Sequence, residues 1–228
     1  MHPFVVVIYG AIGVGKSTVV EALESRVKMV GKCHIMCIRE PVEAMRKSGA
    51  LQSVGDSISS SGYDLQMLVL SERMSTYWQM QAQIRRYGID KPLVIVSDGH
   101  LELDQWIFAE EHVDAGRMSL NEYDLYKSAV PFMLAQSPQF IRSPNLYIYL
   151  HASPDELLRR IRERARCEEQ SLNVDALRHV VSACDALTTR LAAIPTLDVV
   201  TVRTDGISCD CVLSSVQDII YEEFSKEC

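Results

Sequence analysis

The residues Gly10-Ala11-Ile12-Gly13-Val14-Gly15-Lys16-Ser17 combine three glycines, a lysine and a hydroxyl at the spacing G-x-x-x-x-G-K-[ST]. Glycines let backbone N–H groups close on phosphate oxygens with no Cβ in the way. Lys16 would reach the β- and γ-phosphates, and Ser17, followed by Thr18, would ligate Mg²⁺. The chemistry this pattern supports is the binding of a nucleoside triphosphate. The bland alternative is a glycine-rich turn that binds nothing, but the context argues against it. An apolar run, Phe4 to Ile8, leads into the loop, and a helix-compatible segment follows from Thr18.

Three further groups of residues could take part in chemistry. Leu93-Val94-Ile95-Val96-Ser97-Asp98 ends an apolar strand on a carboxylate. This is the second metal-binding element expected of phosphate-loop enzymes, which places Asp98 near Mg²⁺. Arg39-Glu40-Pro41 sets an acid at a strand end, because proline biases the preceding residue away from helix. Glu40 could act as a general base toward a small alcohol, and spacing alone leaves a solvated turn acid equally open. Finally, Arg159, Arg160, Arg162, Arg164 and Arg166 put five arginines within eight residues. Arg160 and Arg164 share one helical side, and Arg162 and Arg166 another. They read either as a solvated basic helix end or as a lid whose guanidinium forks clamp a phosphoryl group. A phosphate loop elsewhere in the chain favours the lid.

The elements that must position these residues alternate. Short apolar strands are expected at 4–8, 34–38, 93–96, 146–150 and 199–202. Helices are expected near 16–29, 42–48, 63–87, 103–113, 119–136, 154–165, 173–192 and 211–225. Ser153-Pro154-Asp155-Glu156 marks one helix start with an N-cap, a proline and two acids. Buried strands separated by helices imply an α/β fold with a parallel sheet covered on both faces. Ligands in such sheets sit at the carboxyl ends of the strands, where Gly10–Ser17, Glu40 and Asp98 all fall. The 228 residues suit one domain, and no linker divides them. Asp56 to Gly62 is a short Ser/Gly loop.

Bulk properties exclude several classes. A net charge of −7 disfavours a nucleic-acid partner. No apolar run approaches a membrane span. The seven cysteines lack zinc spacing and read as reduced thiols. With the loop starting at residue 10 and no targeting segment before it, a cytoplasmic location is expected. His100 has no second ligand at metal spacing, so it reads as a capping or packing residue.

Four stretches taken together, GAIGVGKST, REPVEAMR, SDGHLELDQWIFAE and YIYLHASPDELLRRIRERARCEEQ, resemble the deoxynucleoside kinase family, with its cellular and herpesvirus branches. They occur in family order from residue 10 to about 177. The resemblance implies a three-layer P-loop kinase fold with a five-stranded parallel sheet and an Arg-rich lid at about 160–172. It implies ATP and Mg²⁺ as cofactors, a deoxynucleoside as acceptor, and a homodimer built through long helices near 63–87 and 103–136. It makes Glu40 the base for the sugar 5′-hydroxyl and Gln66 a contact of the nucleobase edge. Arg73 and Asp104 become a pair beneath the base. Arg160, Arg164 and Arg166 become lid arginines, and Glu169 becomes the contact of the 3′-hydroxyl. Gln66 and Arg73 lie two helical turns apart, so they point the same way.

The chain also departs from the family. Asp98-Gly99-His100 lacks the arginine expected at position 99, and Arg39 and Arg162 are the candidates to stand in. Met45 replaces an expected tryptophan, and Gly55 an expected tyrosine. The leading expectation is ATP-dependent 5′-phosphorylation of a pyrimidine deoxynucleoside. The alternatives are a thymidylate-type monophosphate kinase, with Arg46 and Lys47 holding the acceptor phosphate, and a nucleotide-binding regulator without turnover.

Overall fold

The computed structural model of the chain describes residues 3–27, 29–30, 33–42, 47, 61–87, 92–170 and 172–226. Its centre is β1 (Phe4–Tyr9), six residues that are all buried. A strand hidden on both faces must be apolar throughout, and Phe-Val-Val-Val-Ile-Tyr meets that demand with β-branched and aromatic side chains. The phosphate loop follows, then α1 (Lys16–Arg26), β2 (Met29–Val30), β3 (Cys33–Ile38) and the 27-residue helix α2 (Ser61–Tyr87). Next comes β4 (Leu93–Asp98). A helical passage follows it, made of α3 (Leu101–Asp104), a π-helical segment (Gln105–Ala109) and α4 (Glu110–Asp114). The chain continues through α5 (Leu120–Gln136), β5 (Leu146–His151), α6 (Pro154–Arg164), α7 (Val174–Ala192), β6 (Asp198–Arg203) and α8 (Cys209–Lys226).

The sheet order is β2-β3-β4-β1-β5-β6. The five expected strands pair in parallel, and the sheet gains a two-residue edge strand, β2, running antiparallel to β3. A strand of two residues carries no periodic signal, so the sequence could not announce it. Alternation along the strands divides the core into two layers. Val94 and Val96 of β4 join the core that holds α1, α7 and α8 residues, whereas Leu93 and Ile95 join the core of α2 and α5. Phe4 meets Phe224 of α8 edge-on, at 5.6 Å between ring centroids. Tyr9 hydrogen-bonds Thr188 of α7 at 2.7 Å.

Caps set the helix ends close to their expected places. The Ser153 hydroxyl accepts from the Glu156 N–H, with Pro154 in the first turn of α6. Ser119 and Glu122 form a reciprocal capping box at the start of α5. Of the expected helix near 42–48, Val42 and Lys47 are described and helical, whereas residues 43–46, Met45 and Arg46 among them, and 48 lie outside the described residues, as do Gly55 and the Asp56–Gly62 loop up to residue 60; Ser61 and Gly62 begin α2 instead. No helix of the described residues is long and apolar enough to cross a membrane.

Candidate active site

The loop between β1 and α1 is built by contacts that only its glycines permit. A Cβ on Gly10 (φ +146°) would lie 2.3 Å from the Leu150 carbonyl oxygen, so the loop can leave the sheet beside β5 only at a glycine. The Lys16 ammonium donates to the Gly10 and Ala11 carbonyls at 2.8 and 3.1 Å, folding back over its own loop. Gly13, Gly15, Lys16, Ser17 and Thr18 line a cleft of about 620 Å³. Glu40, Gln66, Asp104, Arg164, Arg166 and Glu169 line the same cleft. Residues spread over more than 150 positions of sequence therefore meet in one space.

Asp98 sits at the carboxyl end of β4, nearly sealed from solvent. Burial, reinforced by the nearby Glu40 charge, pushes its carboxyl up to about 6, against the pull of Lys16, a Ser17 hydrogen bond and Arg73. One of its oxygens, Oδ1, is buried with no hydrogen-bond partner. A carboxylate oxygen stripped of water without a donor, beside a serine hydroxyl, fits a small hard cation such as Mg²⁺. No group of three or more metal-ligating side chains occurs among the described residues.

Next to Asp98, Arg73 of α2 and Asp104 of α3 form a buried ion pair, Nε to Oδ2 at 2.6 Å, with side chains 2% and 5% exposed. The surface ion pair that spacing alone would have allowed is thus excluded. Burial opposes the Arg73 charge, but Asp104, and more weakly Tyr77 and Glu40, hold its proton above the ordinary arginine range. Breaking one partner of such a buried pair costs about 3–5 kcal/mol. Gln66 is buried on the same face of α2, with Tyr126 donating to its Oε1 at 3.5 Å.

Neither arginine named as a substitute at position 99 reaches the cleft. Arg39 lies half-exposed, paired with Glu24 at 2.7 Å and Glu21 at 3.3 Å. Arg162 is exposed and lines none of it. Instead the Arg73 guanidinium lies against Gly99. A Cβ there (φ +76°) would be 2.5 Å from Arg73 Nη2, and Nη1 donates to the Asp98 carbonyl at 2.7 Å. His100 caps α3: its Nδ1 accepts from the Glu102 N–H at 3.3 Å, and Nε2 faces the Ile141 carbonyl at 3.0 Å. Burial lowers its pKa to about 4, so the ring is neutral at pH 7.

The arginine-rich stretch divides in a way that helical spacing does not show. Helix α6 stops at Arg164 because Ala165 turns left-handed (φ 52°), so Arg166 does not share a helical face with Arg162. The turn sends Arg166 toward Glu169 at 3.4 Å, and Arg164 meets both oxygens of Glu169 at 2.6 and 2.7 Å. Arg164, Arg166 and Glu169 form one group at the cleft. Arg160 does not join them. It donates to the Val14 carbonyl at 3.2 Å and to Thr204 Oγ1 and O at 3.0 and 2.5 Å, bracing the phosphate loop against the turn after β6.

Sequence reasoning missed Phe108 and His112, which line the cleft from the helix that carries Asp104. Their spacing of four and eight residues from Asp104 was a usable signal. The π-helical segment that turns Phe108 inward had none. His112 is buried, its Nδ1 accepts from Arg117 Nε at 3.1 Å, and burial lowers its pKa to about 4.

Residues 6–224 match the family model described as deoxynucleoside kinase. The chain is 30% identical to the deoxyguanosine kinase of Bacillus subtilis over 93% of its own length and 90% of that protein. It is 28% identical to the deoxyadenosine/deoxycytidine kinase of the same bacterium, over 71% of this chain and 66% of that one. It is likewise 28% identical to a probable deoxycytidine kinase of fowlpox virus, over 75% and 65%. Among solved structures, a deoxyadenosine kinase from M. mycoides with bound dCTP superposes with a TM-score of 0.75 at 16% identity. That match covers 96% of this chain and all of that one, and it supports the fold alone. From the family match over nearly its whole length, the chain belongs to the deoxynucleoside kinase family.

Proposed function

We propose that the protein transfers the γ-phosphoryl group of ATP to the 5′-hydroxyl of a deoxynucleoside, with a preference for the pyrimidines thymidine and deoxycytidine. One observation carries this reading. The phosphate loop, the strand-end carboxylate Glu40, Gln66 and Asp104 line a common cleft, with Arg73 paired to Asp104 behind it, so donor and acceptor halves of a phosphoryl transfer are adjacent. Backbone N–H groups of the loop, Lys16, Ser17 and Thr18 bind the donor's phosphates. Ser17 and Asp98 would hold Mg²⁺, which neutralises charge on the phosphates when bound. Glu40 takes the proton from the 5′-hydroxyl as its oxygen bonds to the γ-phosphorus and the bond to the β-phosphate oxygen breaks. Arg164 and Arg166, which line the cleft, would balance charge on the transferring group, and Glu169 would accept from the 3′-hydroxyl. Gln66 and Asp104, with Arg73 paired behind it, would meet the edge of the base, and Phe108, which lines the cleft, would pack against its face.

Arg160 acts through the loop. Its hydrogen bond to Val14 fixes the loop's shape without touching phosphate. A monophosphate kinase would need a further cation for the acceptor's phosphate. Of its two candidates, Lys47 is exposed and Arg46 lies outside the described residues. The four deoxynucleosides, each offered with labelled ATP, test the acceptor preference. Thymidine and deoxycytidine should give the highest kcat/KM, and higher values for both purines would overturn the pyrimidine preference while leaving the kinase reading intact.

The homodimer implied by the resemblance is consistent with large apolar side chains at the surface of the long helices, Trp78 on α2 and Leu125 and Phe132 on α5. Sedimentation should return twice the 25.6 kDa chain mass, and a single-chain mass at micromolar concentration would refute the dimer.

A further inference from the structure

Arg73 does more in this fold than face a base. Its guanidinium has three neighbours at once: the Asp104 carboxylate, the Asp98 carbonyl and the bare backbone of Gly99. A second, small cavity of about 10 Å³, the size of roughly one water, is lined by Lys16, Glu40, Arg73, Gly99 and Asp104 among others. The strand-end acid and the guanidinium thus border one small cavity. The charged groups around Glu40 come from every element packed there: Lys16 from α1, Arg73 from α2, Asp98 from β4 and Asp104 from α3. Three carboxylates crowd this point, and Arg73 and Lys16 are the cations among them. Lys16 is turned toward its own loop carbonyls and belongs to the donor side. Among the described residues that line this cavity, Arg73 remains as the cation of the acceptor side.

We propose that Arg73 is a positioning residue for Glu40, holding its carboxylate in the orientation that meets the acceptor hydroxyl, and that residue 99 is glycine because any side chain there would displace the guanidinium. The proposal rests on the reading of Glu40 as the general base. It goes beyond that reading by coupling the base-facing pair Arg73–Asp104 to the reacting end of the cleft. A base that engages this pair also steadies the guanidinium against Glu40, so recognition and hydroxyl activation share one side chain. The peptide of residues 98–99 gives Arg73 its fixed floor through the 2.7 Å bond to the Asp98 carbonyl. A methyl group 2.5 Å from Nη2 leaves the guanidinium no room, because the other atoms around it are a buried carboxylate and backbone.

The test is a double-mutant cycle of Gly99→Ala and Arg73→Lys, read as kcat and KM for the nucleoside at saturating MgATP. Gly99→Ala should lower kcat by about 10- to 100-fold, the scale of a small misplacement of a reacting group. The KM for ATP, measured separately at saturating nucleoside, should stay unchanged. In the Arg73→Lys background, which lacks Nη2, the added methyl should cost less than about threefold. The backbone strain of alanine at positive φ is the same in both backgrounds, so it cancels in the cycle. Equal losses in both backgrounds, or a loss confined to KM, overturn the proposal. The same cycle read by thermal unfolding needs no acceptor. Gly99→Ala should lower Tm more with Arg73 than with lysine, and equal drops mean that the contact is not made. Glu40→Gln, run alongside, separates the two ideas: undiminished transfer removes the base assignment whatever the cycle returns.

Discussion

Glu40→Gln should lower kcat for deoxynucleoside phosphorylation by about 10²- to 10⁴-fold, the usual contribution of a positioned general base. The substitution keeps the size and hydrogen-bonding outline of the side chain and removes only its ability to take a proton. Nucleoside KM should move little, because the base-facing contacts of Gln66, Arg73 and Asp104 are untouched. A loss of kcat without a loss of binding is the signature of an interaction made only in the transition state. Glu40 is half-buried at the carboxyl end of β3 and lines the cleft beside Lys16. Neither of the described carboxylates beside it, Asp98 and Asp104, suits the task as well. Asp98 is nearly sealed from solvent behind the loop, and Asp104 is occupied by Arg73. Full activity in the Gln variant would transfer the role elsewhere.

Asp104→Asn should destabilise the protein by about 3–5 kcal/mol and raise nucleoside KM strongly. The asparagine fits the space but leaves the Arg73 cation buried without its counter-charge, which is the costly half of a broken buried pair. At about 2–4 °C per kcal/mol for a chain of this size, Tm should fall by roughly 6–20 °C. Removing both charges together, as in Asp104→Leu with Arg73→Met, should recover much of that stability while activity stays low, because no charge is then left stranded. A single Asn variant with wild-type Tm would mean that the pair is not buried as the structure places it.

Local features were legible in the sequence because local chemistry produces them. The loop, the Asp98 strand end and the Ser153–Pro154 helix start each depend on residues within one turn or strand. The Arg73–Asp104 pair spans 31 residues and could be expected only through resemblance, since no periodicity joins a helix to the far end of another element. Gly99 shows the limit most clearly. In sequence it is a missing arginine; in space it is the seat of an arginine from another helix. Arg160 shows the converse: on a helical projection it belongs with Arg164, but Val14 and Thr204 draw it behind the loop. The left-handed turn at Ala165, which redirects Arg166, falls at a residue type that rarely adopts it, and so carried no warning.

The most direct measurement is phosphoryl transfer by the purified protein from γ-labelled ATP with Mg²⁺, offering thymidine and deoxycytidine in one series and their 5′-monophosphates in another. The account predicts label on the 5′-oxygen of the nucleosides and none added to the monophosphates. Label appearing only on the monophosphates, or no transfer to either nucleoside, would contradict it.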